Sequence, residues 1–269
     1  MSNNDFSKDW QRVDSLENPG PHIDLLELAQ QSPQFYQLRR EICKALGFLK
    51  AGARGVDVGC GLGLAVRELE DQGWSTTGID FSQTMVHQAS SRYPGLDFRI
   101  GSAIKLPFDD GSLDFYRTER VYVTMPKRDA AAAIVEARRV LRQGGRIVLA
   151  EPDLETITFT SSEVNRDLTR AAVKGMADVS HNGQVGSNIR GQLLNAGFTD
   201  VHISGHAQIF TNVEVASILT LDIAFEAAYA KGDLSKAQIE KLREDLIEHQ
   251  SRDAFQYSCT TFIISGSRG

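Results

Sequence analysis

The stretch VDVGCGLG, Val56 to Gly63, sets three glycines at alternate positions directly after a short apolar run. Glycine at that density lets backbone approach a ligand, because no Cβ stands in the way. Dinucleotides, phosphates and other adenosine cofactors all use such loops. The dinucleotide fingerprint G-x-G-x-x-G requires its third glycine at position 64. Gly59 and Gly61 supply the first two, but position 64 is Leu64 and Gly63 comes one residue early. A P-loop does not fit either, since no Gly-Lys-Ser or Gly-Lys-Thr follows. Asp80 closes the next apolar run, 21 positions after Gly59. A carboxylate at that place accepts hydrogen bonds from both ribose hydroxyls of an adenosine. Loop and acid together indicate an adenosine ligand without requiring a pyrophosphate. The competing reading is a tight strand-to-helix turn that binds nothing.

Outward from this loop, strands and helices alternate. Before it, Phe35, Leu38, Ile42, Ala45 and Leu49 recur at spacings of three and four, which is one helix face. AGARG at 51–55 breaks that helix, and GVDV reads as a buried strand. Leu62, Val66 and Leu69 mark a helix that stops at Gly73. STTGI, LDFRI, SLDFYRT and RIVLAE read as four further strands. Between them, SQTMVHQASSRY is a helix capped by Ser82, and AAAAIVEARRVL is one closed by RQGG. Five such alternations predict parallel strands with helices on both faces, joined by right-handed crossovers. In that α/β, doubly wound architecture the ligand lies beyond the carboxyl ends of the strands, where the glycine loop sits.

The remaining chain reads differently. Residues 153–187 are expected to hold polar helical material and the loop DVSHNGQVGSN. IRGQLLNAGF is predicted as a helix ending at Gly197, TDVHISGH as a strand, and FQYSCTTFIISG as the last strand. Two helices are expected at 212–231 and 235–250, the second opened by a Ser-x-x-Gln capping box at Ser235.

The 269 residues allow one large domain with insertions. A hydrophobic content of 41% with 24% charged residues is ordinary for a globular chain. The net charge of −6 argues against a general nucleic-acid partner. No apolar run reaches the ~20 residues of a membrane helix, so no membrane partner is expected. The polar start, MSNNDFSKDWQRVDS, lacks a signal-peptide pattern. Cys43, Cys60 and Cys259 are widely separated, which fits neither a disulfide framework nor a metal site and points to the cytoplasm. A monomer or homodimer is expected.

At this point the sequence resembles class I S-adenosylmethionine-dependent methyltransferases, in particular the small-molecule branch similar to ubiquinone/menaquinone-biosynthesis methyltransferases. VDVGCGLG, GIDFSQTMV, GSAIKLPFDDGSLDFYRTERV and EARRVLRQGGRIVLAEP carry the resemblance, over roughly residues 50–152. It implies a mostly parallel, seven-stranded Rossmann-like sheet, with S-adenosylmethionine as cofactor and S-adenosylhomocysteine as product. Carried over residue by residue, Asp57, Gly59, Cys60 and Gly61 would lie against the methionine part. Asp80 would hold the ribose, and Phe81 and Met85 would pack on the adenine. Ser102 stands where the family often has an Asp that receives the adenine amino group, with Ala103 beside it. Thr118 would face the methionine part.

The acceptor side is less defined. Family members often carry a His in the run after the fourth strand, whereas this chain has RVYVTM at 120–125. Tyr122 is a candidate hydrogen-bonding group there, or a wall residue. Arg120 either orients an acidic acceptor or pairs with Glu119. Asp153, after the fifth strand, either meets an amine or hydroxyl or caps a turn. His181 is either a base or a solvated loop residue. Arg166 and Arg170 share a helix face. Residues 1–50 are expected to form a helical lid, with Phe6, Trp10, Phe35 and Tyr36 as its aromatics. Residues 51–269 form the core, with helical insertions at about 153–187 and 212–250. Phe225 and Tyr229 of the second insertion are expected to help cover the pocket. The leading expectation is methyl transfer to a small molecule. The alternatives are a protein of the same fold that binds the cofactor without methylating, and a nicotinamide-dependent oxidoreductase.

Overall fold

A computed structural model describes residues 13–269; Phe6 and Trp10 of the expected lid lie outside them. The sheet has seven strands in the order β3-β2-β1-β4-β5-β7-β6. They are β1 (Arg54–Val58), β2 (Ser75–Asp80), β3 (Asp97–Ile100), β4 (Leu113–Glu119), β5 (Leu141–Phe159), β6 (Phe198–Phe210) and β7 (Tyr257–Arg268). The first five pair in parallel, and β7 runs antiparallel between β5 and β6. The doubly wound architecture and its seven strands agree with the expectation.

Strand order reverses at β1, whose two neighbours are β2 on one side and β4 on the other. A crevice opens at such a point because the helices following the two central strands leave to opposite faces. α3 (Leu64–Glu70) follows β1, α4 (Gln83–Arg92) follows β2, and α5 (Lys127–Val140) follows β4. In front of β1 stand α1 (Gly20–Gln31) and α2 (Pro33–Leu46). Ser32 caps α2 by accepting from Phe35 N, and Ser82 caps α4 by accepting from Met85 N at 3.1 Å. The predicted face of α2 buries Phe35, Leu38 and Ile42 against the sheet, with Leu46 completing it and Ala45 and Leu49 only partly covered.

Two boundaries differ from the reading of the sequence. RQGG does not close α5. That helix ends at Val140, and Leu141 already pairs with Leu113. The next pair is Phe115 with Arg146, so Arg142–Gly145 bulge out of β5 as it enters the sheet. β5 also continues through Phe159, in place of the expected polar helix after 153. From Thr156 on, half-buried Thr156 and exposed Thr158 alternate with buried Ile157 and Phe159, a period of two that propagates the strand.

The late helices are α6 (Arg166–Val179), α7 (Val185–Asn195), α8 (Asp222–Lys231) and α9 (Lys236–Ser251). The expected single helix at 212–231 is interrupted. A short α-helical turn at Val213–Ala216 passes into a π-helical turn at Ser217–Leu221 before α8 begins. The capping box at Ser235 forms as predicted, with Ser235 and Gln238 each bonding the other's backbone N–H. Phe225 is buried and meets Phe159 edge to face at 6.3 Å, which ties α8 to the far end of β5. No helix among the described residues is long and apolar enough to cross a membrane.

Candidate active site

The glycine loop leaves β1 at the reversal point. Gly59 N and Cys60 N both donate to Ile79 O on β2, at 2.7 and 3.1 Å, which folds the loop back over the sheet edge. Gly59 has φ +72°, and a Cβ built there would meet Val121 Cγ2 at 2.2 Å. Both facts demand glycine at this position. Gly63 serves another end. Its φ of +84° forms the left-handed N-terminal junction of α3, and its Cα face packs against the Phe98 ring. The early third glycine is therefore a helix-entry and packing residue.

Asp80 terminates β2 with its carboxylate held in place. Oδ2 accepts from Gly61 N at 3.0 Å and Oδ1 from Ser82 N at 2.9 Å. Burial pushes this carboxyl up from its ordinary range, against the pull of the two amides. Each oxygen keeps acceptor capacity toward a cavity of about 560 Å³ that Asp80 lines. Gly59, Cys60, Gly61, Phe81, Met85, Ser102 and Ala103 line the same cavity. Met85 is buried in its wall, and Phe81 is half-exposed at its edge. Ser102 Oγ accepts from Ile104 N at 3.4 Å.

Asp57 also lines the cavity, but its carboxylate is already engaged. It is the strand partner of Arg117 on β4, and Arg117 Nη1 lies 2.5 Å from Asp57 Oδ1. The other arm of Arg117 bonds Glu119. Desolvation raises the Asp57 carboxyl, and Arg117 opposes that. This buried Asp57–Arg117–Glu119 chain was not anticipated from sequence. Its signal is a charged residue in the middle of an otherwise apolar strand.

Thr118 is a correction. It is fully buried beneath the cavity floor, with Oγ1 3.4 Å from Glu151 Oε1, and it does not line the cavity. Its side chain points to the opposite face of β4 from Arg117, as strand alternation requires. Tyr122 is a second correction. Its ring is buried and its hydroxyl lies 3.1 Å from the Tyr116 hydroxyl, outside the cavity lining. Burial pushes the Tyr122 phenol well above its ordinary value, so it holds its proton. Asp153 accepts from Ser187 N at 3.0 Å and Glu155 N at 3.1 Å, which makes it the turn-and-helix anchor of its structural alternative. His181 is an exposed turn residue between α6 and α7. Neither lines the cavity.

Of the four acceptor-side candidates only Arg120 lines the cavity. Its pairing with Glu119 does not form, because Glu119 is taken by Arg117. The rest of that wall is Val121 and Val123–Pro126, held from behind by Glu151. Glu151 accepts from the backbone N–H of Val121, Tyr122 and Val123, each at 3.1 Å. It is completely buried, and burial raises its carboxyl to about 7. Leu26, Ala29 and Gln30 of α1 and Phe35 and Arg39 of α2 supply the side facing the sheet edge. Tyr36 is half-exposed and does not contribute, nor does any described residue of 212–250.

Residues 56–149 match the family described as "Methyltransferase domain". That segment is similar in sequence to the class I S-adenosylmethionine-dependent methyltransferases, and the strand order above is the fold of that class. An uncharacterised 37.1 kDa protein from a Streptomyces fradiae transposon is 31% identical to this chain over 224 residues, 80% of this chain and 62% of that protein. A demethylmenaquinone methyltransferase of Beutenbergia cavernae is 39% identical over 116 residues, 42% of this chain and 46% of that one. The chain thus spans about half to two thirds of the length of these relatives. A phosphoethanolamine N-methyltransferase 2 of Haemonchus contortus, solved with phosphomonomethylethanolamine and S-adenosylhomocysteine, superposes with a TM-score of 0.61 at 17% identity. That alignment covers all of this chain and 60% of the other, and at such identity it speaks for the fold alone.

Proposed function

We propose that this protein transfers a methyl group from S-adenosylmethionine to a small-molecule acceptor. The observation that carries the reading is the clamped Asp80 carboxylate facing a cavity whose floor is the glycine loop. The residues fit the cofactor. Asp80 retains acceptors for two ribose hydroxyls. Met85, Phe81 and Ala103 offer an apolar slot beside it for the adenine. Gly59 and Gly61 leave backbone bare where the amino-acid tail would pass.

S-adenosylmethionine supplies a methyl carbon on a positively charged sulfur, which a nucleophile displaces in line. The protein's own work is to position and to exclude water. Leu26, Ala29, Phe35, Val123 and Met125 give the acceptor side an apolar wall. No described histidine or tyrosine lines it. Positioning alone accounts for much of the acceleration of such a step, and a base is required only where the acceptor must lose a proton. The cavity, about 560 Å³, is within the range of small-molecule sites. Residues 13–46 act in this reading as the lid, since α1 and α2 close one side of it.

Calorimetric titration with S-adenosylmethionine, S-adenosylhomocysteine and NAD tests the proposal. Binding of the two sulfur compounds in the micromolar range, and none of NAD, is the expected result. Absence of sulfur-cofactor binding, or tighter binding of NAD, sinks it. A methylated product formed over repeated turnovers separates this function from a protein that only retains the cofactor.

A further inference from the structure

Three arginines line the cavity, and two are neutralised by carboxylates. Arg39 pairs with Glu68 at 2.8 Å, and Arg117 pairs with Asp57 and Glu119. Arg120 forms no ion pair with any described residue. Its guanidinium instead lies over the Phe35 ring, 5.1 Å from the centroid. Phe35 is buried, and it packs 6.0 Å from Phe210. The cation is therefore held on a fixed aromatic platform that α2 presents to the cavity.

Its backbone is equally constrained. Arg120 has φ +59°, one of three non-glycine residues with positive φ among those described. A long side chain gains nothing from that conformation, so the surroundings must enforce it. Arg120 N donates to Ala150 O at 2.9 Å, and the next residue, Val121, presses on Gly59 and donates its N–H to Glu151. The strain aims a partly desolvated charge that forms no ion pair with a described residue into a mainly apolar wall of Val121, Val123, Met125 and Pro126. A protein spends such an arrangement on a ligand rather than on stability.

We propose that Arg120 is the specificity residue for the acceptor, and that the acceptor is an apolar or aromatic body bearing a carboxylate. The planar guanidinium fork matches a carboxylate with two parallel N–H···O bonds. Its stacking on Phe35 leaves the N–H edge free for that contact. This inference rests on the methyl-transfer reading and names its substrate class.

The test uses benzoate and its uncharged isostere benzamide, titrated into protein saturated with S-adenosylhomocysteine. Wild-type protein is expected to take benzoate at least ~10-fold more tightly than benzamide. R120Q should erase that preference while leaving benzamide and S-adenosylhomocysteine binding unchanged. R120G removes the guanidinium and suits the positive φ, so it guards against misfolding of the first variant. Equal binding of benzoate and benzamide by wild-type protein overturns the proposal and leaves the methyl-transfer reading standing. So does a loss of S-adenosylhomocysteine affinity in R120Q with the benzoate preference intact, which would assign Arg120 to the cofactor's own carboxylate. Failure of wild-type protein to bind S-adenosylhomocysteine removes both readings.

Discussion

The sheet edge built by β1 and β2 and the wall built by residues 120–126 face the same cavity, yet they are made by different physics. The first lies within one strand–helix–strand unit. Gly59 and Cys60 bond Ile79, and Gly61 bonds Asp80, across 19 to 20 positions, while Ser82 N bonds Asp80 two residues on, so each position follows from strand, turn and cap in sequence order. The second is assembled from afar. Arg120 rests on Phe35, 85 positions earlier, and the wall hangs from Glu151, about 30 positions later. A cofactor common to a family can be seated by local grammar. An acceptor peculiar to one member is met by side chains whose neighbours are set only by tertiary packing.

The sharpest way to break this contrast is to remove the local site's central group. D80A deletes the carboxylate proposed to hold the ribose, which is also the partner of two backbone amides. Hydrogen bonds to a charged group contribute roughly 1.5–3 kcal/mol each. S-adenosylhomocysteine affinity should therefore fall by about 100-fold or more, read by calorimetry. An unchanged affinity would mean that the loop holds its ligand without Asp80.

The same contrast decides what could be read in advance. β1 to β4, the Ser82 cap and the meeting of the glycine loop with Asp80 were legible because each is announced within a few residues, by a glycine, a Ser cap or an acid at a strand end. Thr118 was misplaced because strand alternation about Arg117 settles its side, and a one-residue choice reverses the face. Tyr122 offered a hydrogen-bonding hydroxyl or a wall residue in isolation, and its hydroxyl meets that of Tyr116, six positions back on β4. The extension of β5 past Asp153 was missed because its polar residues fill the exposed half of an alternating strand. Nothing in RVYVTM itself says that Glu151 will hold it.

Glu151 offers a second test, aimed at the assembled wall. Its folded carboxyl is raised to about 7, against an ordinary value of 4.5. Between those values the unfolded chain has released the proton and the folded chain keeps it. Stability therefore falls as pH rises through that window, by up to ~3 kcal/mol, and levels off above it. E151Q removes the titration and sets an amide against Val123 N, costing about 1 kcal/mol. Urea unfolding of both proteins at pH 5 and pH 8 should show wild type losing more than E151Q over that interval. A difference that does not change with pH would mean that Glu151 is ionised throughout, with its three backbone amides offsetting burial completely.

The smallest effect belongs to the segment that joins the two regions from above. Asp14 accepts from Ser82 Oγ at 2.7 Å and from Gln83 N and Thr84 N at 2.9 Å each. It thus caps the first turn of α4, directly after Asp80 and Phe81. Against desolvation, the hydrogen bonds from Thr84, Ser82 and Gln83 hold its carboxyl below the usual range. Val13, Ile23, Leu16 and Leu26 pack on Leu62 of the glycine loop and Met85 of α4, in a small cluster separate from the main core. If this contact is the latch of a lid, D14A should cost about 1 kcal/mol, the usual loss of a cap. That loss should fall on docking of residues 13–31 and leave the sheet untouched. Hydrogen exchange in those residues should quicken and S-adenosylhomocysteine should dissociate about 5-fold faster, with little change in its association rate. An unchanged dissociation rate with faster exchange would make the segment a cover that moves independently of the ligand. The cavity would then be closed by its two walls alone.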